Sequence, residues 1–327
     1  GEEAATALGA TPDGNWEGTN IPWRPYPDRT IDEPTRQRLF EIRERRVKPS
    51  TDDKVLASWN GLAISVFAVA GRVLGESKYV DAAVAAADFV LSALRRDDGR
   101  LVRAWREGRT SGPAYLDDHA LMAAACLDLY ETTFETRWFE EARSLADDML
   151  RLFRDEEGGG FFQTGSDAER LVIRPKELFD NAVPSGNSVA ANVLQRIALF
   201  TGDTEYATAG VSALRLVRDL MERAPTGFGE ALGALDLYLS ASKEVAIVGD
   251  PSLTETRALV DEVWKRYLPN VVLAVAPMGD AGAAKAIPLL EGRDLVEGKP
   301  AAYVCERFVC QRPVTDARTF ASQLGPA

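Results

Sequence analysis

Three copies of one helical pattern run along the middle of the chain and restrict the folds open to it. The segments ESKYVDAA, ETRWFEEA and DTEYATAG align on Tyr79, Trp138 and Tyr206, which are 59 and 68 residues apart. Each aromatic opens a helix with apolar or small residues spaced by four and three, typical of an amphipathic helix. Helices that are apolar nearly all round, and so predicted to be buried, precede them at 62–74, 120–130 and 189–200. The predicted unit is a buried helix followed by a half-exposed one.

Inner and outer helices paired in this way and stacked in a ring form an α/α toroid, whose inner helices line a central cavity. A straight helical solenoid is the alternative. We predict a mainly α fold in which residues 32–241 form a toroid portion of three helix-hairpin repeats and one further helix at 227–239. The joining segments at 96–109 and 155–167 are expected to be β-hairpins or loops at one end.

The two ends of the chain differ from this helical region. Residues 1–31 are rich in Gly, Pro, Thr and Asn, which predicts an irregular arm, and a charged surface helix follows at 33–46. After residue 241, two buried strands at 244–250 and 271–277 flank a helix at about 253–267, and 301–310 provides a further candidate strand. Residues 242–327 are therefore predicted to form a small α/β appendage.

Composition excludes some classes of function. The chain has 327 residues, with 38 Lys and Arg against 50 Asp and Glu, and the net charge of -12 argues against nucleic-acid binding. No apolar run approaches the roughly 20 residues that span a bilayer, so no membrane partner is expected. The single histidine, His119, disfavours His-rich metal sites and chemistry that needs two imidazoles. Neither a metal nor a cofactor is predicted.

The three cysteines are too few for a disulfide framework, so we expect a reducing compartment and a cytoplasmic location. Cys305 and Cys310 have the spacing of half a zinc site, but the remaining cysteine, Cys126, falls in a predicted buried helix. A local disulfide would require a bend, because residues five apart on an extended strand face opposite sides. Two buried or half-buried thiols are the favoured prediction.

The repeats also align polar residues near the start of each inner helix. Nineteen residues before the marker aromatics stand Asn60, His119 and Asn187. Two residues earlier stand residue types that commonly cap helices, namely Ser58, Asp117 and Ser185. Equivalent helices begin at one end of a ring, and their unpaired N–H groups suit anionic or hydroxyl-rich ligands. The alternative is that these side chains only cap helices and satisfy nearby loops.

Further charged and aromatic residues are predicted to join them at this rim. Carboxylates crowded at a half-buried mouth raise one another's pKa, and paired carboxylates are what glycoside hydrolysis needs. The candidate acids, bases or sugar ligands are Asp52, Asp53, Asp117, Asp118 and Asp180, of which Asp53 and Asp118 form the favoured pair. The candidate ligand-binding residues are Lys54, Trp59, Asn60, His119, Asn181, Ser185 and Asn187. The same set could bind a sugar or a cation without converting it.

Four ordered motifs carry a family resemblance: VKPSTDDKVLASWNGL, AYLDDHA, DNAVPSGNS and YVCERFVCQRPV. The chain resembles the thioredoxin-domain proteins related to spermatogenesis-associated protein 20. The resemblance implies a thioredoxin-like domain followed by a six-hairpin, glycosidase-like α/α toroid similar to that of N-acylglucosamine 2-epimerases. Because neither the thioredoxin-like domain nor the first hairpins are found here, we expect another part of a longer protein, or another chain, to supply them.

Two functions remain from these observations. The favoured one is a ligand-binding or scaffold module with a carboxylate-rich cavity mouth, whose ligand is a sugar or another small polar molecule. The alternative is a carbohydrate-active, hydrolase-like enzyme with carboxylates as acid and base. A two-histidine epimerase is disfavoured by the single His119.

Overall fold

The computed structural model describes residues 1–169, 172–307 and 309–325 and divides the chain into two compact units, 1–53 and 54–327. The first unit holds the short helix α1 (Glu2–Ala7) and the helix α2 (Glu33–Glu44). The Asp32 carboxylate caps α2 by accepting the N–H of Thr35, which confirms the predicted surface helix. This unit extends to Asp53, so α2 lies with the N-terminal arm rather than with the repeats.

Seven helices of the second unit form two rows. They are α3 (Ala57–Leu74), α4 (Ser77–Ala93), α5 (Leu116–Thr133), α6 (Thr136–Leu152), α7 (Gly186–Thr201), α8 (Thr204–Arg223) and α9 (Gly229–Leu239). Helices α3, α5, α7 and α9 pack side by side as an inner row, and α4, α6 and α8 each pack on the inner helix before them. The predicted three hairpins and one further helix are confirmed, in the arrangement of part of an α/α toroid.

Each inner helix of a hairpin ends in a residue with left-handed backbone, which turns the chain back towards the outer helix. Gly75 and Gly202 end α3 and α7 with φ angles of 70° and 74°. Phe134 ends α5 in the same conformation with a φ of 59°, where a glycine would be less strained. The Phe134 ring packs edge-on against Tyr130, with 6.4 Å between ring centroids. This packing holds the unusual backbone in place.

The inner helices α5 and α7 are buried as predicted, but α3 is not. Val66, Phe67, Val73 and Leu74 of α3 are 65%, 40%, 57% and 66% exposed. An apolar helix is buried only where neighbours cover it, and α3 is the first helix of the inner row. By length and composition α3 would also be able to cross a membrane, a property that core helices of soluble proteins share.

A small antiparallel sheet lies beside the first hairpin, in the order β1 (Val55–Leu56), β2 (Val102–Arg106) and β3 (Arg109–Pro113). The predicted hairpin at 96–109 is therefore present but shifted, because the left-handed residues Glu107 and Gly108 form the turn. The second joining segment is a loop in which one isolated bridge links Arg154 to Phe161.

The predicted α/β appendage is present and shares the core of the helical body. Its elements are β4 (Lys243–Val248), α10 (Thr254–Trp264), β5 (Val271–Ala276), α11 (Ala281–Ala286), β6 (Ala301–Glu306), β7 (Val309–Cys310) and α12 (Ala317–Leu324). The sheet order is β5-β4-β6-β7, and only β4 and β5 are parallel. Ala246 and Val272 belong to the core of the toroid helices, whereas Ile247 and Leu273 pack with α10 and α12. Phe308, within the predicted strand 301–310, lies outside the described residues.

The expectation of two thiols at Cys305 and Cys310 is wrong, because the two residues form a disulfide. Strands β6 and β7 form a tight antiparallel hairpin in which Cys305 and Cys310 lie opposite each other, with 3.8 Å between their Cα atoms. The bend that a local disulfide requires is therefore present. Cys126 is a free, buried cysteine, as its place in an inner helix predicted.

The close approach of α3 and α5 at Gly61 generates a prediction about stability. A Cβ atom on Gly61 would lie 2.7 Å from the carbonyl carbon and 2.8 Å from the carbonyl oxygen of Leu121, which are backbone atoms. We expect Gly61→Ala to lower the free energy of unfolding, measured by urea denaturation, by about 1–3 kcal/mol, because the two helices must separate. Gly233→Ala in α9 is the matched control, since a Cβ there meets no atom within 4 Å. The control should gain up to about 1 kcal/mol in helix propensity, and equal effects of both substitutions would contradict this packing.

Candidate functional site

Asp118 connects the starts of two inner helices. Its side chain is 0% exposed, and its Oδ1 atom accepts the N–H of Ser58 in the first turn of α3 at 3.1 Å. Its Oδ2 atom accepts the N–H of Tyr115, which caps α5, at 2.9 Å, and a guanidinium N–H of Arg103 at 3.1 Å. These N–H groups lack partners within their own helices, so one carboxylate satisfies both helix ends. Burial first, and then the charge of Asp117, raises the pKa of Asp118 to about 6.

Asp180 does the same for the next pair of inner helices. Its Oδ1 atom accepts the N–H of Ser185, the N-cap of α7, at 2.8 Å. Its Oδ2 atom accepts the N–H groups of Glu230 and Ala231, in the first turn of α9, at 2.9 and 3.2 Å. Asp118 and Asp180 are therefore equivalent: each holds the start of its own inner helix to that of a neighbour. Backbone donors occupy both oxygens of Asp180.

The predicted caps are only partly confirmed. Ser185 is the N-cap of α7, and its hydroxyl accepts the N–H of Ser188. The caps of α3 and α5 are instead Leu56 and Tyr115, so Ser58 and Asp117 lie within the first helical turns. The Asp118 carboxylate accepts an N–H at each of these helix starts, where the side chain of the Leu56 cap cannot.

The aligned asparagines bond to nearby backbone. The Asn60 amide donates to the carbonyl of Leu56 at 2.8 Å, within its own helix start. Asn187 accepts the N–H of Phe161 at 2.8 Å and donates to the carbonyls of Phe161 and Glu177, both at 2.9 Å. Asn187 thus fastens the long connection between α6 and α7 to the start of α7.

His119 occupies the same position in α5 and is fully buried. Its Nδ1 atom lies 2.9 Å from the carbonyl oxygen of Tyr115, and its Nε2 atom lies 3.0 Å from a guanidinium nitrogen of Arg100. A carbonyl only accepts and a guanidinium only donates, so His119 is the neutral tautomer with its proton on Nδ1. Burial, the main cause, lowers its pKa to about 4. His119 is therefore neutral and buried, with a partner at each ring nitrogen.

Two arginines of the connection between α4 and α5 complete this region, although the sequence interpretation did not select them. Arg103 lies 3.4 Å from an Asp117 carboxylate oxygen and stands over the ring of Tyr115 at 4.7 Å. Arg100 pairs with Asp167 at 2.9 Å. The alternation in LVRAW places Arg103 on the face of β2 opposite Val102 and Ala104. This alternation is the sequence pattern from which the position of Arg103 could have been predicted.

Asp117 opens onto a pocket of about 370 Å³, here named the rim pocket. Its walls come from the starts of α5 and α7 and the loop between residues 177 and 184. Its lining residues are Leu116, Asp117, Gln163, Glu177, Phe179, Asn181, Ala182, Val183, Pro184, Ser185 and Gly186. The Phe179 ring is 44% exposed and rests on Phe228, with 4.9 Å between centroids. Three predicted site residues, Asp117, Asn181 and Ser185, meet here.

The other predicted site residues are placed differently. Asp52 and Asp53 belong to the first unit, whereas Lys54 begins the second. Lys54 and Trp59 are exposed, and the Trp59 side chain is 61% exposed at the start of α3. Neither residue lines the rim pocket. Within residues 1–169, 172–307 and 309–325, no group of three His, Cys, Asp or Glu residues has the arrangement of a metal site.

Sequence comparison gives relatives for most of the chain. Human (Homo sapiens) spermatogenesis-associated protein 20 is 36% identical over 296 residues, which are 86% of this chain and 37% of that protein. The chain is homologous to part of spermatogenesis-associated protein 20. The rat (Rattus norvegicus) protein is 36% identical over 295 residues, with the same shares covered. An uncharacterized protein of Caenorhabditis elegans is 30% identical over 297 residues, 87% of this chain and 39% of that protein.

The chain thus spans less than two fifths of the length of these relatives. No model of a known protein family matches it. Among solved structures, a cellobiose 2-epimerase from Bacillus thermoamylovorans has a TM-score of 0.43 at 14% identity, covering 52% of this chain and 45% of its own. A GH76 α-mannanase from Bacteroides thetaiotaomicron has a TM-score of 0.43 at 17% identity, covering 52% and 47%. Likenesses this weak say nothing about what the chain binds.

The raised pKa of Asp118 predicts a particular dependence of stability on pH. Its pKa rises from 3.8 in the unfolded chain to about 6 in the folded one, so between these values the folded chain binds the extra proton. The Asp118 contribution to stability therefore falls as the pH rises from 4 to 7, by up to about 3 kcal/mol. Urea unfolding of wild type and Asp118→Asn across this range measures it as the difference between their free energies of unfolding.

Taking the difference removes the opposing effect of His119, whose lowered pKa makes its own contribution rise with pH from about 4 to 6.5. Asp219→Asn, on the exposed face of α8, is the control for the removal of one carboxylate from the chain. A wild-type advantage over Asp118→Asn that grows with pH would show that the charged carboxylate is the favoured folded form.

Proposed function

We propose that this chain is a binding module, within a larger protein, for a small hydroxyl-rich ligand such as a sugar, and that the ligand occupies the rim pocket. The observation that carries the proposal is the meeting of an exposed aromatic ring, Phe179, with Asp117, Glu177 and Gln163 in one pocket of about 370 Å³. Pockets of this size suit small ligands when apolar walls carry a few convergent polar groups.

The walls of the rim pocket offer partners for both the hydroxyl groups and the apolar C–H face of a sugar. The carboxylates of Asp117 and Glu177 accept hydrogen bonds from hydroxyl groups, and the Gln163 amide both donates and accepts. The face of the Phe179 ring offers an apolar surface for the C–H face of a pyranose. Because Arg103 pairs with Asp117, the carboxylate is fixed in place while remaining partly exposed.

Electrostatics favour a neutral ligand over a phosphorylated one. Two carboxylates line the rim pocket, and among the residues that the structure describes no Lys or Arg lines it. The chain as a whole carries a net charge of -12. A phosphate or sulfate group in this pocket would be repelled at short range.

We favour binding over hydrolysis because the carboxylates of Asp118 and Asp180 are bonded to helix starts. Glycoside hydrolysis requires two carboxyl groups that both reach the scissile bond. Asp118 has the raised pKa of a general acid, but it is 0% exposed and bonded to Ser58 and Tyr115. Asp180 is likewise committed to the starts of α7 and α9. Within the rim pocket, hydrolysis would need Asp117 and Glu177 to act as the pair.

The exposed face of α3 supports a place within a larger protein. Trp59, Phe67 and Leu74 leave a row of apolar surface at the first inner helix, and surface of this kind marks a protein interface. In the proposed full-length protein, further toroid hairpins cover this face, and a thioredoxin-like domain belongs to the same assembly. The module then acts as a scaffold as well as a ligand site.

Sugar binding is tested by saturation-transfer NMR and calorimetry with glucose, mannose, N-acetylglucosamine, glucuronate and cellobiose. We expect at least one neutral sugar to bind with a Kd between about 0.1 and 10 mM, an affinity typical of one small pocket with few polar contacts. Asp117→Asn should weaken that binding at least about tenfold, because a carboxylate acceptor is lost.

Asp219→Asn, which removes an equal charge from α8 outside the pocket, is the control and should bind as wild type does. Absence of saturation transfer for every sugar would overturn the proposal, as would equal affinity of Asp117→Asn and wild type. Release of reducing ends from cellobiose by wild type, abolished in Asp117→Asn, would instead assign hydrolysis to the same pocket.

A further inference from the structure

The disulfide of the β6–β7 hairpin has an arginine beside both of its sulfur atoms. A guanidinium nitrogen of Arg293 lies 3.2 Å from Cys305 Sγ and 3.1 Å from Cys310 Sγ. A neutral disulfide sulfur is a weak acceptor, so this contact adds little to the oxidised hairpin. A thiolate in the same place would form a strong, charge-assisted interaction with the guanidinium. The position of Arg293 therefore suits the reduced pair better than the oxidised one.

Neighbouring residues hold Arg293 in this position. The Tyr303 hydroxyl donates to the carbonyl of Asp294 at 2.8 Å and accepts the N–H of Asp294 at 3.2 Å. Tyr303 and Cys305 are two residues apart on β6 and so share one face of the strand. The hydroxyl thereby fixes the loop that carries Arg293 against the face that carries the sulfur.

The positive charge of Arg293 is only weakly stabilised by the groups around it. Burial lowers its pKa, and its Nε atom is buried without a hydrogen-bond partner. No carboxylate lies within salt-bridge distance of it in the described part of the chain, and Glu244 acts on it only from further away. A partly buried cation in this setting is stabilised by an anion placed next to it. A cysteine thiolate would be that anion.

The two sulfur atoms also differ in access. Cys305 is 0% exposed, whereas Cys310 lies on the exposed edge strand β7. An attacking thiolate can therefore reach Cys310 Sγ and leave Cys305 Sγ as the departing thiolate. A leaving thiolate of lower pKa departs faster, and a neighbouring arginine lowers the pKa of a thiol.

We propose that Cys305 and Cys310 form a thiol–disulfide exchange site, reduced by a dithiol and assisted by Arg293. One thiolate of the dithiol attacks Cys310 Sγ; a mixed disulfide forms, the Cys305–Cys310 bond breaks, and Cys305 leaves as a thiolate beside Arg293. The second thiolate of the dithiol then attacks its own sulfur in the mixed disulfide and releases Cys310. The dithiol is oxidised to a disulfide, and the protein pair gains two electrons and two protons.

Reduction at this site acts on a neighbouring groove. Glu306 ends β6 and Arg307 follows it, between the two cysteines, and both line a groove of about 400 Å³ beside α7, α8 and α9. The Glu244 carboxylate accepts the N–H of Arg307 at 3.1 Å and keeps part of the turn in place. Opening the disulfide removes the covalent link that closes this wall of the groove.

The test measures the rate of reduction of the folded, oxidised chain at pH 7, by alkylation of new thiols and mass spectrometry. Dithiothreitol and a small reduced protein dithiol are used in separate arms, which distinguishes a low-molecular-weight partner from a protein one. We expect reduction without denaturant in at least one arm. Arg293→Gln should slow it roughly tenfold, and Arg293→Lys should restore most of the rate.

Arg312→Met removes a positive charge from an exposed position two residues beyond Cys310, and it should leave the rate unchanged. Far-UV circular dichroism checks that each variant is folded. Wild type that is reduced only after unfolding in urea would overturn the proposal without reference to any variant. An Arg293→Gln chain that is folded and reduced as fast as wild type would overturn the role of Arg293.

Discussion

The carboxylate of Asp118 holds together the part of the molecule on which the proposed site depends. Helices α3 and α5 begin side by side, close enough that Gly61 can carry no side chain. Each helix start has N–H groups that its own helix cannot satisfy, and their positive ends lie close together. The buried Asp118 carboxylate accepts hydrogen bonds from both helix starts. Asp180 does the same for α7 and α9. Asp118 and Asp180 bind backbone N–H groups at these helix starts. The rim pocket is lined instead by Asp117 and by other residues of the loop at 177–184.

A second buried charge, Glu131, joins the helical body to the α/β appendage. Its Oε2 atom accepts from Arg196 at 2.8 Å, and its Oε1 atom accepts the backbone N–H of Leu273 in β5 at 3.1 Å. Arg72 lies 3.9 Å from the same carboxylate and stacks over Trp264 at 3.8 Å. Removing one partner of such a buried cluster leaves an uncompensated charge, so the cluster fixes how body and appendage fit.

The sequence predicted much of this fold, since helical periodicity and the repeat are local signals. The hairpins, the βαβ unit and the Ser185 cap are confirmed. The exposure of α3 was not predictable from its composition, because burial depends on which neighbours cover a helix. The Cys305–Cys310 disulfide depends on the tight hairpin of β6 and β7. The sequence predicted a single extended strand at 301–310, in which these two cysteines would face opposite sides. Asp118 was selected as a chemical group, yet its bond to Ser58 spans 60 residues of sequence, and only the fold shows that it joins two helix starts.

Amide hydrogen exchange by NMR tests the role of Asp118 and Asp180 most directly, through Asp118→Ala and Asp180→Ala compared with wild type. We expect Asp118→Ala to speed exchange at the N–H groups of Ser58 and Tyr115 by at least about tenfold, the effect of losing a buried hydrogen bond. In that variant, exchange at the amides that Asp180 holds, those of Ser185, Glu230 and Ala231, should stay as in wild type. Asp180→Ala should give the reverse pattern. Unchanged exchange at Ser58 and Tyr115 in folded Asp118→Ala would contradict the account and return Asp118 to the list of free catalytic candidates.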